Sequence, residues 1–136
     1  MNSTSNSANS HIPAKHTILL VDDDRNLRRF MHTLLIHKGY NVIEARDGVE
    51  AVNKYAEAVE VEGIDLVLMD IMMPRKDGIT AYYEIIELDP DAKILFMSAY
   101  SENGLDQIPN GNFMQKPMLS VDILQKVSDL IEADFR

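Results

Sequence analysis

Short apolar runs alternate with longer amphipathic segments along most of this chain, and that alternation limits the fold more than any other feature. Residues 66–69 form an unbroken apolar run without a turn residue, which is typical of a strand buried on both faces. Similar runs occur at residues 17–21, 40–45, 93–97 and 113–115. Strands separated by helical segments predict a three-layer α/β fold with a five-stranded parallel sheet.

The predicted helices have recognisable starts. Asp24 is expected to cap the first helix, Asp47 comes just before the second, and Ser120 is expected to cap the last. The second helix is predicted to bury one stripe of side chains, formed by Val49, Val52, Ala56 and Val59. Arg28 and Arg29 are assigned to a solvated face of the first helix. Glycine and proline between residues 100 and 112 predict a fourth helix that is short or irregular.

The composition indicates one domain, expected at residues 17–136, after a polar tail at residues 1–16 that is expected to be disordered. Thirteen basic residues against 22 acidic ones give a net charge of −9, which disfavours direct binding to nucleic acid or anionic lipid. The chain has no cysteine, so thiolate chemistry is excluded, and this suits a cytoplasmic location. No apolar run is long enough for membrane insertion.

Polar side chains follow four of the five predicted strands. Asp22 and Asp23 follow the first strand, Asp70 the third, Ser98 the fourth and Lys116 the fifth. Because the carboxyl ends of parallel strands share one edge of the sheet, these groups are expected to lie close together. Three neighbouring carboxylates repel one another unless a cation lies among them or some protons stay bound. Hard oxygen ligands favour Mg²⁺, with Mn²⁺ as an alternative.

The same five groups suit phosphoryl transfer to a carboxylate. Asp70 is the candidate nucleophile, and the ammonium of Lys116 can neutralise one phosphoryl oxygen. The hydroxyl of Ser98 can donate a hydrogen bond to a second oxygen, and the metal can take the third. Catalysis of this kind depends on positioning and charge neutralisation.

Four motifs, each ending a predicted strand, are similar to those of the receiver domain of two-component response regulators. They are ILLVDDD at 18–24, DLVLMDIMM at 65–73 followed by Pro74 and Asp77-Gly78, ILFMSA at 94–99 and FMQKP at 113–117. The resemblance covers residues 17–134 and is closest in kind to single-domain, chemotaxis-regulator-like receivers. It implies a flavodoxin-like sheet with strand order 2-1-3-4-5.

The resemblance also implies roles for individual residues. Asp70 corresponds to the phosphoacceptor, Asp23 to a direct metal ligand and Asp22 to a ligand acting mainly through water. The backbone carbonyl of Met72 corresponds to a further metal ligand. Lys116 corresponds to the family's lysine, and the peptide bond before Pro117 is expected to be cis.

Further implied roles concern switching and access. Ser98 and Phe113 correspond to the hydroxyl and aromatic positions that move on activation, although Phe113 has no phenol hydroxyl. Met72, Ala99 and Tyr100 are expected to line the approach to the phosphoryl group, and the bulk of Met72 and Tyr100 is expected to slow dephosphorylation by screening water. The implied phosphoryl donor is a sensor histidine kinase or a phosphotransfer protein, and the downstream protein target is unknown.

Three alternatives stay open from the sequence. One is a docking module that works without phosphorylation, which would usually lack an acid or the lysine, whereas all are present here. Another is an aspartate-nucleophile phosphohydrolase, which would typically have a second aspartate where this chain has Met72. The third is a receiver fragment of a longer regulator.

Overall fold

The computed structural model describes residues 15–99 and 112–133 of the 136-residue chain. Within these ranges, the elements in chain order are β1 Thr17–Val21, α1 Arg25–His37, β2 Asn41–Ala45, α2 Gly48–Val59, β3 Leu66–Asp70, α3 Gly78–Leu88, β4 Ile94–Ser98, β5 Phe113–Gln115 and α4 Ser120–Glu132.

The five strands form one parallel sheet in the order β2-β1-β3-β4-β5. Ile18 of β1 pairs with Val42 on one side and Leu66 on the other, so β1 and β3 are neighbours although β2 lies between them in sequence. The strand order therefore reverses between β1 and β3, which is where α/β sheets form their binding crevice. The predicted architecture and strand order are confirmed.

The sheet has a separate hydrophobic core on each face. Leu19 and Val21 of β1 lie in the cluster that includes Tyr55 of α2 and residues of α3. Ile18 and Leu20 lie in the opposite cluster, with residues of α1 and α4. This division follows from the alternation of side chains along a strand. Each fully buried aliphatic side chain contributes about 1.5–3 kcal/mol, so both cores stabilise the sheet that carries this edge.

Aspartate side chains cap three of the four described helices. Asp24 Oδ1 accepts from the amides of residues 26 and 27 at 3.0 and 3.2 Å, as expected. Asp47 caps α2 and Asp77 caps α3 through single bonds of 2.9 and 2.8 Å. The predicted cap at Ser120 is wrong. Leu119 occupies the N-cap position of α4 without a side-chain bond, and Ser120 is already inside the helix.

The buried face of α2 differs from the predicted stripe. Ala51, Tyr55 and Ala58 are buried, whereas Ala56 is exposed. Tyr55 explains the rotation, because its ring fills the core and its hydroxyl donates to Asp89 Oδ2 at 2.6 Å. Alanines on either side let the helix lie close to the sheet. A count of aliphatic residues alone misses a face built from tyrosine and alanine.

The expected disordered tail falls mostly on residues 1–14, and the expected short or irregular fourth helix falls on residues 100–111. Both stretches lie outside the described residues. Among the helices of residues 15–99 and 112–133, none combines the length and apolar character needed to cross a bilayer.

Candidate functional site

Asp22, Asp70 and Lys116 meet at the carboxyl edge of the sheet, although Lys116 is 94 residues from Asp22 and 46 from Asp70 in sequence. Asp22 directly follows β1, Asp70 is the last residue of β3, and Lys116 directly follows β5. The Lys116 Nζ atom lies 2.9 Å from Asp22 Oδ2 and 3.1 Å from Asp70 Oδ2. The lysine therefore bridges two buried carboxylates, as the parallel topology predicts.

Asp23 completes a cluster of three carboxylates with Asp22 and Asp70. One oxygen of each lies within 4.8 Å of the others, which is close enough to share a cation. Asp22 is fully buried and Asp70 is 7% exposed, whereas Asp23 faces solvent. Three carboxylate oxygens, with Asp23 on the open side of the site, are hard ligands. They fit a small, hard divalent cation better than a soft metal ion.

Three carboxylates and one ammonium group meet at this edge of the sheet, so negative charge is in excess. Burial raises the pKa of Asp70, and the charge of Asp22 raises it further, although the ammonium of Lys116 acts in the opposite direction. Burial by itself would lower the pKa of Lys116, but its hydrogen bonds and charge interactions with Asp22 and Asp70 raise it overall. Lys116 therefore stays protonated. A cation among the acids would favour the ionised, nucleophilic form of Asp70.

A buried arginine supports the backbone at Asp22. Arg28 Nη1 donates to the carbonyl oxygen of Asp22 at 2.7 Å, and Arg28 Nε donates to Glu44 Oε1 at 2.8 Å. His32 Nδ1 lies 2.5 Å from Glu44 Oε2, so this carboxylate contacts two residues of α1. The assignment of Arg28 to a solvated face is wrong, because only 9% of this residue is exposed. The one sequence signal was an acidic residue, Glu44, inside a short strand.

The other residues assigned to the site have different surroundings. Ser98 ends β4 and is 2% exposed, and Phe113 is half-buried opposite Phe96 of β4. Ala99 is exposed beside Lys116, where both line an apolar cavity of about 350 Å³. The amide of Lys116 donates to the carbonyl of Ser98 at 2.7 Å, and the register of β4 and β5 places Phe113 at the same end of the sheet.

Met72 lies on the loop that follows Asp70. Its amide is 3.3 Å from Asp70 Oδ1, and 57% of the residue is exposed. Tyr100 lies outside the described residues, so its expected part in screening the site stays a prediction. The peptide bond between Lys116 and Pro117 is cis, as the family resemblance implied.

A parallel α/β fold with acids and one lysine at its switch point defines a class of phosphoacceptor proteins. Residues 18–128 match the response regulator receiver domain, and the chain belongs to that family. It is a phosphoacceptor receiver whose pocket contains Asp22, Asp23 and Asp70. It acts as a signalling switch in two-component systems and differs in this from a classical enzyme.

Several curated relatives are chemotaxis proteins. The chain is 38% identical to CheY of Bacillus subtilis over 118 residues, covering 83% of this chain and 95% of that protein. It is 39% identical to CheY of Thermotoga maritima over 119 residues, covering 82% of this chain and 96% of that protein. A similar receiver, 34% identical over 122 residues and covering 85% of this chain, makes up 12% of the sensor kinase CckA of Brucella abortus.

Solved structures agree with this assignment. A chain of the CheX–CheY–BeF3–Mg complex of Borrelia burgdorferi superimposes with a TM-score of 0.79 at 32% identity, covering 90% of this chain and 92% of that one. The response regulator TrrA of Thermotoga maritima, in complex with Mg²⁺ and BeF, gives a TM-score of 0.75 at 32% identity and covers 85% and 98% of the two chains.

Proposed function

We propose that Asp70 is the phosphoacceptor of this receiver and that it takes its phosphoryl group from the phosphohistidine of a sensor histidine kinase or a phosphotransfer protein. The observation that carries this proposal is the position of Lys116 Nζ between Asp22 and Asp70, beside the three-carboxylate cluster. Asp22 and Asp70 both lie next to the lysine and the candidate cation site, but Asp22 is fully buried, whereas Asp70 is 7% exposed and is the one a phosphoryl donor can reach.

In the transfer step, a carboxylate oxygen of Asp70 attacks phosphorus in line with the phosphorus–nitrogen bond of the donor. An oxygen–phosphorus bond forms, and the electron pair of the broken bond stays on the imidazole nitrogen. Lys116 neutralises charge on one phosphoryl oxygen, and the hydroxyl of Ser98 donates a hydrogen bond to another. Water later attacks the same phosphorus and restores the carboxylate of Asp70, with release of inorganic phosphate.

Asp23, Asp70 and the carbonyl of Met72 are the proposed direct ligands of Mg²⁺, with Asp22 acting mainly through water. Asp22 is fully buried, whereas Asp23 faces solvent at the open side of the cluster, which supports the indirect role of Asp22. When bound, Mg²⁺ supplies positive charge to the transferring phosphoryl oxygens. The two similar receivers in complexes with Mg²⁺ and a beryllium fluoride support this metal, and Mn²⁺ offers the same ligand preference.

We also propose that phosphorylation changes protein contacts through β4 and β5. Ser98 would follow the phosphoryl group, and Phe113, half-buried against the core beside Phe96, would change its packing. The output is then a contact with another protein, and the relative in complex with CheX supports this kind of partner. Direct nucleic-acid binding is not expected at a net charge of −9. Phosphohistidine is made from ATP, so the cytoplasm is the proposed location.

Met72 and Ala99, with Tyr100, are proposed to control the access of water to the phosphoryl group. The exposed side chain of Met72 lies two residues beyond Asp70, where its bulk can screen the attacking molecule. Met72→Asn is expected to shorten the lifetime of the phosphorylated protein, because a small polar group can hold a water molecule. An unchanged rate of phosphate release in this variant would contradict the screening role.

Intact-mass measurement after incubation with Mg²⁺ and acetyl phosphate tests the main proposal. We expect one phosphate adduct in the wild type and none in Asp70→Asn. An Asp77→Asn variant is a matched control, since Asp77 caps α3 on the same loop and an asparagine can still cap. No adduct in the wild type would favour a docking module that works without phosphorylation. Rapid turnover of varied phosphoesters would favour a phosphohydrolase.

A further inference from the structure

The loop between β3 and α3, residues 71–77, is attached to the start of α2. We propose that the ion pair between Arg75 and Asp47 positions this loop, so that the carbonyl of Met72 is held toward the metal site. Arg75 and Asp47 are then positioning residues for Mg²⁺ binding. This inference rests on the proposed function, in which Met72 is a metal ligand.

Asp47 receives Arg75 in a two-pronged contact. Arg75 Nε donates to Asp47 Oδ2 at 2.8 Å, and Arg75 Nη2 donates to Asp47 Oδ1 at 3.2 Å. Asp47 is only 7% exposed, and its Oδ1 also accepts from the amide of Glu50 at 2.9 Å, which caps α2. The Asp47 carboxylate is therefore held to α2 by a hydrogen bond that does not involve Arg75. A bidentate pair with one buried partner is more directional than a typical surface ion pair.

A backbone contact lies beside this ion pair. The amide of Gly48 donates to the carbonyl oxygen of Lys76 at 3.1 Å. A Cβ atom added at Gly48 would lie 2.4 Å from the same oxygen, so only glycine permits this approach. Arg75 and Lys76, which form the tip of the loop, are thus joined to Asp47 and Gly48 at the start of α2.

The backbone of Arg75 adopts a conformation that is unfavourable for a residue with a side chain, so contacts with neighbouring groups must stabilise it. Its φ of 68° lies in the left-handed region, which few residues other than glycine adopt. Its side chain is 58% exposed, so burial does not hold this conformation. The amide of Lys76 donates to the carbonyl of Pro74 at 2.7 Å across this turn, and the ion pair with Asp47 joins the turn to α2.

The base of the loop is held separately. The amide of Ile71 donates to the carbonyl of Met97 at 3.0 Å, and the amide of Gly78 donates to the carbonyl of Ile71 at 2.8 Å. Met72 lies between this fixed base and the fixed tip. Among the described residues, the hydrogen bond that holds Met72 is the long 3.3 Å bond from its amide to Asp70 Oδ1, so we expect the direction of its carbonyl to depend on both anchors. Releasing the tip is expected to let that carbonyl rotate.

Titration of the protein with Mg²⁺ followed by NMR amide shifts tests the inference without measuring phosphorylation. We expect Arg75→Ala to raise the Kd for Mg²⁺ roughly tenfold, as is typical when a group supporting a metal ligand is lost. Arg75→Gly is expected to do the same, although glycine removes the backbone cost at this position. A Kd restored to the wild-type value in Arg75→Gly would overturn the ion-pair role, because backbone relief alone would then suffice.

Arg46→Ala is the matched control. Arg46 also pairs with an acid at the start of α2, Glu50, at 2.8 Å, but it does not contact the loop. We expect its Kd to stay at the wild-type value, and Asp47→Asn, which keeps a cap and an uncharged acceptor, to give an intermediate Kd. An unchanged Kd in both Arg75 variants would overturn this inference alone. A wild type without saturable Mg²⁺ binding, or an Asp23→Asn variant that binds as well as the wild type, would overturn the proposed metal site as well.

Discussion

Replacing Gly78 with alanine is expected to slow the phosphorylation of this receiver because there is no space for a methyl group at this position. A Cβ atom at Gly78 would lie 2.2 Å from the carbonyl oxygen of Asp70, whereas ordinary contact begins at 3.4 Å. Either α3 or the backbone of Asp70 must therefore move by about 1 Å in a well-packed interior. The carboxylate proposed to attack phosphorus would move with it.

The size of the effect can be worked out from these contacts. Overpacking of this kind costs about 1–3 kcal/mol. Loss of the 2.8 Å bond from the Gly78 amide to Ile71 adds about 1 kcal/mol, and the better helix propensity of alanine returns about 1 kcal/mol. We expect a net loss of stability of about 1–3 kcal/mol. A misplacement of about 1 Å is expected to slow phosphorylation on the order of tenfold to a hundredfold.

Urea denaturation and the rate of adduct formation from acetyl phosphate measure the two effects. Gly39→Ala is the control, because a Cβ atom there meets nothing within 4 Å, while its φ of 99° still costs about 1 kcal/mol for alanine. We expect this variant to lose stability but to be phosphorylated at the wild-type rate. Equal rates in the wild type and Gly78→Ala, or equal slowing in both variants, would refute the reasoning.

Three further predictions concern charged side chains. Lys116→Ala leaves two buried carboxylates without a cation and is expected to cost about 3 kcal/mol in urea denaturation without Mg²⁺, and an unchanged midpoint would contradict the bridging role. Arg28→Met is expected to cost about 1–3 kcal/mol by leaving the buried carbonyl of Asp22 without its donor, whereas Arg29→Met, on the exposed face, should stay within about 0.5 kcal/mol. Asp47→Asn is expected to be less stable than the wild type at pH 7, because Arg75 lowers the folded-state pKa of Asp47. That contribution is present above the unfolded pKa and is lost as the pH falls through the folded value, so the difference should shrink below about pH 4. A constant difference down to pH 2 would contradict the assignment.

Much of the fold could be predicted from the sequence because its signals are local. A strand buried on both faces has to be apolar almost throughout, so the runs ending at Val21 and Met69 were recognisable without any partner strand. Parallel strands place their carboxyl ends at one edge, so the acids and Lys116 could be grouped before any distance was known. The order of the strands came from the family resemblance.

Packing between elements could not be predicted in the same way. The buried face of α2 depends on where Tyr55 finds space and a hydrogen-bond partner, 34 residues away at Asp89. Burial of Arg28 depends on Glu44 of the neighbouring strand and on the carbonyl at the end of β1. Both outcomes reflect how helices lie on the sheet, which periodicity does not describe.

The amino-acid sequence is sufficient to assign the class of fold, the edge of the sheet that carries the chemistry and the residue types available there, because strand burial and strand-end position can be recognised within a few residues. The contacts that hold those residues in place could be described only from the folded structure. The bridge from Lys116 to two acids, the arginine under Asp22 and the link from Arg75 to Asp47 join residues that are distant in sequence. Their geometry depends on how whole helices and strands pack together, which no local stretch of sequence describes.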